Sequence, residues 1–91
     1  MTDMGNLLIA NVLKALAHPT RLKIVRLLKE KSLCVCEILP QIDSEPSNAS
    51  QHLAVLKNQG IVDSKKDGTM GIYKVTSPEV YEMIDLAESI I

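Results

Sequence analysis

The sequence predicts a mainly α-helical domain carrying one β-hairpin, in the order helix, helix, helix, helix, strand, strand, helix. Three observations lead there. Along most of the chain, apolar residues recur at steps of three and four, the period of a helix with one buried face. Residues 61–75 abandon that period, alternate instead, and are divided by Asp67-Gly68, a turn dipeptide. Finally, Pro19, Pro46 and Pro78 stand where helices start, and Gly60 stands where one stops.

In order, Leu7, Leu8, Val12, Leu13 and Leu16 make an apolar stripe within a helix over residues 5–17. Ile9, off the stripe, widens the arc, as expected of a helix packed on two surfaces. His18-Pro19 ends it, because a residue before proline avoids the helical region. Pro19 or Thr20 opens a second helix to about Lys31, burying Leu22, Ile24, Val25, Leu27 and Leu28. Arg21, Lys23, Arg26 and Lys29 lie mostly outside that face. Ser32 is suited to cap a third helix, with Cys34, Cys36, Glu37 and Ile38 in its first turns. Its apolar face is Val35, Ile38, Leu39 and Ile42. Pro40 costs about 3 kcal/mol inside a helix, so the third helix is short, kinked or distorted at its far end.

Asp43-Ser44-Glu45 turns into the fourth helix, residues 46–60. Ala49, Leu53 and Leu56, with Val55 beside them, form its apolar stripe. The other side shows Ser47, Asn48, Ser50, Gln51 and His52, hydrogen-bonding side chains without a carboxylate among them. A helix merely facing water is better served by Glu and Lys. This one is suited to meet base edges and phosphates. Beyond Gly60, Ile61, Asp63 and Lys65 alternate with Val62, Ser64 and Lys66. Residues 67–71 carry turn chemistry, and Ile72, Tyr73 and Val75 favour a returning strand. Ser77 caps a last helix with Pro78 at its first position, and Val80, Met83, Ile84, Ala87 and Ile91 line one side of it.

Composition bounds the function. A 91-residue chain buries roughly 60–65% of its unfolded surface, so its own core is thin. Yet 46% of the residues are hydrophobic, with no Trp or Phe and only Tyr73 and Tyr81 as aromatics. That apolar surplus points to burial against a second subunit. No run approaches the ~20 apolar residues of a membrane span, and the N-terminus lacks a basic-then-apolar signal segment. A soluble, cytoplasmic protein without a membrane partner is expected. Residues 1–74 hold all ten Lys and Arg and seven of the eleven acids, whereas residues 75–91 hold Glu79, Glu82, Asp85 and Glu88 and no base. The mildly basic body tolerates a polyanion without proving one.

Two short helices joined by a tight turn, the second polar on its leading outer face, make a helix-turn-helix, and the hairpin behind it makes a wing. The segments LKALAHPTRLKIVRLLKE, CVCEI, SNASQHLAVLKNQGIV and the hairpin ending IYKV resemble the ArsR/SmtB family of bacterial and archaeal winged-helix transcriptional repressors. The likeness covers roughly residues 13–77. It implies a homodimer through the first and last helices, bound to a palindromic operator in double-stranded DNA and released by a metal, a metalloid, another inducer or thiol oxidation. By position, Ser47, Asn48, Ser50, Gln51 and His52 fall on the DNA-reading helix, with Lys57 further along it. Asn48 or Gln51 suits paired hydrogen bonds to adenine, while Ser47 and Ser50 suit phosphate. His52 either contacts DNA or bonds a neighbouring backbone carbonyl. Lys65, Lys66 and Lys74 on the wing reach phosphates or are simply solvated. Arg21 belongs to scaffold or backbone contact.

Cys34 and Cys36 match the CVC of arsenic-responsive members, which add a third cysteine three places on; here that place is Leu39. Arsenite and antimonite prefer three thiolates, so a two-thiolate site for these or another thiophilic ion, a redox switch, and two inert half-buried thiols all stay open. The family's zinc-type site on the last helix needs histidines, and residues 78–91 contain none. A thiol near a helix N-terminus has a lowered pKa and a more reactive thiolate. Residues two apart in a helix point about 200° apart, so joining these sulfurs requires the first cysteine to lie outside the helix or the turn to unwind. The rival function is a winged-helix protein-interaction module that no longer binds DNA, for which Glu45, a carboxylate beside any phosphate, speaks. An enzyme is not expected: no triad spacing, phosphate loop or metal-ligand motif is present.

Overall fold

The computed structural model describes residues 2–91. The elements are α1 (Asp3–Leu16), α2 (Pro19–Leu27), β1 (Leu33–Cys34), α3 (Val35–Ile38), a 3₁₀ turn (Leu39–Gln41), α4 (Pro46–Asn58), β2 (Val62–Asp67), β3 (Met70–Val75) and α5 (Glu79–Ile90). The predicted order stands, with one addition. β1 pairs antiparallel with β3, so the hairpin is part of a three-stranded sheet ordered β1-β3-β2.

The core is aliphatic. Ile24, Val25, Ile38, Ala49, Leu53, Leu56, Ile61 and Val62 are almost wholly buried, drawn from α2, α3, α4 and the start of the wing. Burying a Leu, Ile or Val side chain contributes ~1.5–3 kcal/mol, so this cluster dominates the stability of a chain without large aromatics. The α4 stripe read from periodicity is the stripe that packs: Ala49, Leu53 and Leu56 are its buried residues.

The ends of α4 explain its placement. Pro46 occupies the first helical position, where its missing N–H leaves nothing unpaired. Gly60 takes φ +74°, and the N–H of Gly60 and of Ile61 donate to the carbonyls of Lys57 and Leu56 at 2.9 and 3.0 Å. This is a Schellman stop, which satisfies the last carbonyls and turns the chain sharply into the wing. Thr76 then closes the base of the hairpin: its N–H and hydroxyl donate to the carbonyls of Ile61 and Gly60 at 3.0 and 2.7 Å. At the tip only Gly68 and Thr69 leave the ladder, with Asp67 paired to Met70 and Gly68 at φ +66°. A two-residue loop with glycine in its first position matches the strand twist.

Several boundaries differ from those expected. α2 stops at Leu27 instead of about Lys31. Ser32 caps nothing; Cys34, still extended at φ −80° and ψ 164°, precedes the first turn of α3, because residues 33–34 are held in the sheet. Met70 and Gly71 belong to the returning strand. α5 begins at Glu79, with Pro78 and the Ser77 carbonyl in the turn before it. Pro40 sits in the 3₁₀ turn that ends the single-turn α3, the distortion its ring imposes.

Candidate nucleic-acid interface

α4 presents Ser47, Asn48, Ser50 and Gln51 as exposed side chains in its first two turns, with the buried Ala49 between them on the opposite side. Glu45 precedes the helix and makes no side-chain cap bond. The N–H groups of Ser47 and Asn48 are thus left free at the positive end of the helix dipole, which favours an anion, with the exposed Glu45 carboxylate beside them opposing it. No acidic residue lies in the first turn.

The remaining two polar side chains of α4 assigned to DNA have partners inside the molecule. His52 is half-buried; its Nδ1 accepts from Arg21 Nε at 3.1 Å, and its ring lies 4.4 Å from that of His18. Arg21 donates onward to the Ala15 carbonyl at 3.1 Å, so its guanidinium joins α2 to the end of α1 and to α4. Burial, then the charges of His18 and Arg21, hold the His52 pKa below the usual histidine value. Lys57 donates to Ser64 Oγ at 2.6 Å, fastening the last turn of α4 to β2.

The sheet register sorts the wing lysines. Lys65 pairs with Ile72 and Lys74 with Asp63, so Lys65, Lys74, Asp63 and Asp67 share one face. Lys66 lies on the other face, opposite Gly71. All three lysines are exposed, and with Ser32 and the two aspartates they border an open hollow of about 590 Å³. The two carboxylates offset the lysines there, which sequence position alone did not reveal.

Cys34 and Cys36 are joined as a disulfide, their Cα atoms 5.2 Å apart. Cys34 is buried in β1 opposite Ile72, while Cys36 is exposed in the first turn of α3. The extended backbone at Cys34 is what allows residues two apart to meet. Glu37 accepts from the Cys34 N–H at 3.1 Å and steadies the same junction. Among the described residues, no three His, Cys, Asp or Glu side chains gather to hold a metal ion. Two sulfurs with Leu39 in the third place do not fit an ion that demands three thiolates.

A third surface is apolar. Met4, Leu7, Leu8, Ile9 and Leu13 of α1 and Leu86 and Ile90 of α5 are all exposed, and Leu13, Leu16, Leu22, Met83, Ile84 and Ile91 line a groove of about 490 Å³ between the two helices. Arg26 and Glu88 pair across its rim.

A short helix handing over to an exposed polar helix, with a hairpin sealed to its end, defines a winged helix-turn-helix DNA-binding regulator and not an enzyme. The chain belongs to the arsR family of bacterial regulatory proteins, whose family model matches residues 18–64. It is 39% identical over 82 residues to an uncharacterized HTH-type transcriptional regulator of Methanocaldococcus jannaschii, covering 89% of this chain and 92% of the relative. It is also 39% identical over 80 residues to a cadmium resistance transcriptional regulatory protein CadC homolog of Staphylococcus aureus, covering 87% of this chain and 66% of the relative. The homodimeric winged helix-turn-helix DNA-binding domain of a Mycobacterium bovis protein superposes with a TM-score of 0.83 at 28% identity, over 99% of this chain and 86% of that one.

Proposed function

We propose that this transcriptional regulator acts as a homodimeric repressor in the cytoplasm, reading a palindromic operator with the outer face of α4. The observation that carries this reading is the acid-free row Ser47, Asn48, Ser50 and Gln51, exposed on a helix whose opposite side is locked into the core. Asn48 and Gln51 supply paired donor and acceptor groups for adenine, and Ser47 and Ser50 supply phosphate contacts. Lys65, Lys66 and Lys74 follow the backbone from the wing. Lys57 acts mainly by holding β2 against α4. The exposed apolar faces of α1 and α5 meet their copies across a two-fold axis, which doubles the reading helix to match a palindrome. The homodimeric state of the Mycobacterium bovis domain supports a dimer.

Control falls to Cys34 and Cys36. Their junction is paired to β3 of the wing on one side and runs through α3 and the 3₁₀ turn into α4 on the other. A hydroperoxide that takes two electrons and two protons from the thiols, becoming an alcohol and water, forms the disulfide and fixes this junction. Release of the bond lets α3 and β1 adjust separately, so the two redox forms differ in DNA affinity, the disulfide binding more weakly. A two-thiolate complex with a soft ion is the second reading, favoured by the cadmium-resistance relative. Fluorescence anisotropy on a promoter duplex, with reduced, peroxide-treated and cadmium-treated protein, tests both. Wild type is expected to lose affinity on one treatment, and Cys34→Ser/Cys36→Ser to respond to neither. An identical response from the double variant contradicts control through these cysteines.

A further inference from the structure

We infer that Arg21 is a positioning residue for the DNA-reading helix. It ties α4 to the end of α1 through the unprotonated Nδ1 of His52, and protonation of His52 cuts that tie and weakens DNA binding. The inference rests on α4 being the helix that reads DNA. Arg21 bridges three helices with one side chain: its Nε donates to His52 at 3.1 Å, and its Nη1 donates to the Ala15 and Lys14 carbonyls at 3.1 and 3.4 Å. Those carbonyls belong to the last turn of α1, where intrahelical donors run out. A guanidinium has donors only, so the bond to His52 exists only while Nδ1 carries a lone pair. An imidazolium has none, and it would set a second full charge against Arg21.

The groups facing His52 reinforce the effect. His18, at the start of α2, has its ring 4.4 Å away, with its own Nδ1 accepting from the Thr20 N–H at 3.1 Å. Arg21 is a permanent cation, and Lys14 is the titratable residue of the α1 turn that Arg21 grips. β2 is fastened to α4 five residues further on, at Lys57, and brings Asp63 and Lys65 to that end. Burial, His18 and Arg21 all lower the His52 pKa. The neutral form is thus favoured in the folded chain. Its contribution is complete above the ordinary histidine value of about 6.5 and is lost as pH falls from there through the lower folded value.

The sign of the effect discriminates. If His52 acted simply as a charge near phosphate, acidification would tighten binding. The tie predicts the reverse. The experiment measures anisotropy of a labelled operator duplex with the full chain from pH 7.5 to 5.5 at constant ionic strength. Wild type is expected to bind progressively more weakly as pH falls, by up to but less than about tenfold at pH 5.5, because the folded His52 pKa lies below the ordinary 6.5. His52→Gln, whose carbonyl oxygen accepts at every pH, is expected to give a flat profile whatever its absolute affinity. His18→Asn, which keeps a capping side chain, is expected to keep the fall. A wild-type profile that is flat or rises on acidification overturns the inference, as does a His52→Gln profile that falls like wild type. Failure of the underlying reading appears separately, as Gln51→Ala binding like wild type at pH 7.5.

Discussion

Two surfaces of this molecule are exposed in unusual ways, and the difference between them is the ground for proposing assembly at one and recognition at the other. The α1 and α5 surface leaves Leu7, Leu8 and Leu13 more than half exposed and Ile90 87% exposed, side chains that gain nothing from water. The outer face of α4 exposes Ser47, Asn48, Ser50 and Gln51, which are polar, short and uncharged. One surface is incomplete until apolar area meets it. The other is comfortable in water and becomes informative only against a partner with its own pattern of donors and acceptors. Changes in the first should abolish assembly, and changes in the second should leave assembly intact and alter what is bound.

The largest effect is expected from Leu13→Glu, beside the groove between α1 and α5. A two-fold axis places the change twice; each copy forfeits about half of a full leucine burial, ~1–1.5 kcal/mol, and adds a carboxylate to desolvate, so the dimer dissociation constant should rise about 100-fold or more. Sedimentation equilibrium measures this. A variant that stays dimeric at unchanged affinity would place the assembly surface elsewhere. Next comes Leu56→Ala, on the inner side of α4. Its side chain is fully buried, and its truncation should cost ~2–5 kcal/mol of unfolding free energy in urea titration. Substitutions on the outer side of the same helix should change stability by no more than about 0.5 kcal/mol. If Gln51→Ala destabilised the fold as much as Leu56→Ala, the two sides of α4 would not divide as described.

The inner side of α4 was legible in the sequence because every determinant is local. Pro46 and Gly60 mark its ends, and Ala49, Leu53 and Leu56 mark its packed stripe. The wing was legible for the same reason, through alternation and the Asp67-Gly68 turn. β1 was not. Two residues carry no period, and Leu33 and Cys34 become a strand only because Tyr73 and Ile72 lie beside them. That pairing also explains why Ser32 does not cap α3. The Arg21–His52 bond was equally hidden, since it joins residues 31 positions apart on different helices. A histidine on a polar face carries no local sign that its ring nitrogen is already engaged. The mixed charge of the wing needed the register, which places Asp63 across from Lys74.

Whether the outer face of α4 reads DNA sequence is decided by one comparison. Asn48→Ala/Gln51→Ala and wild type are titrated onto an operator duplex and onto a scrambled duplex at the same salt concentration. The double variant, still dimeric, is expected to lose ~1–3 kcal/mol of discrimination per lost base contact while binding the scrambled duplex as wild type does. Unchanged discrimination in a folded, dimeric double variant would contradict sequence reading by that face.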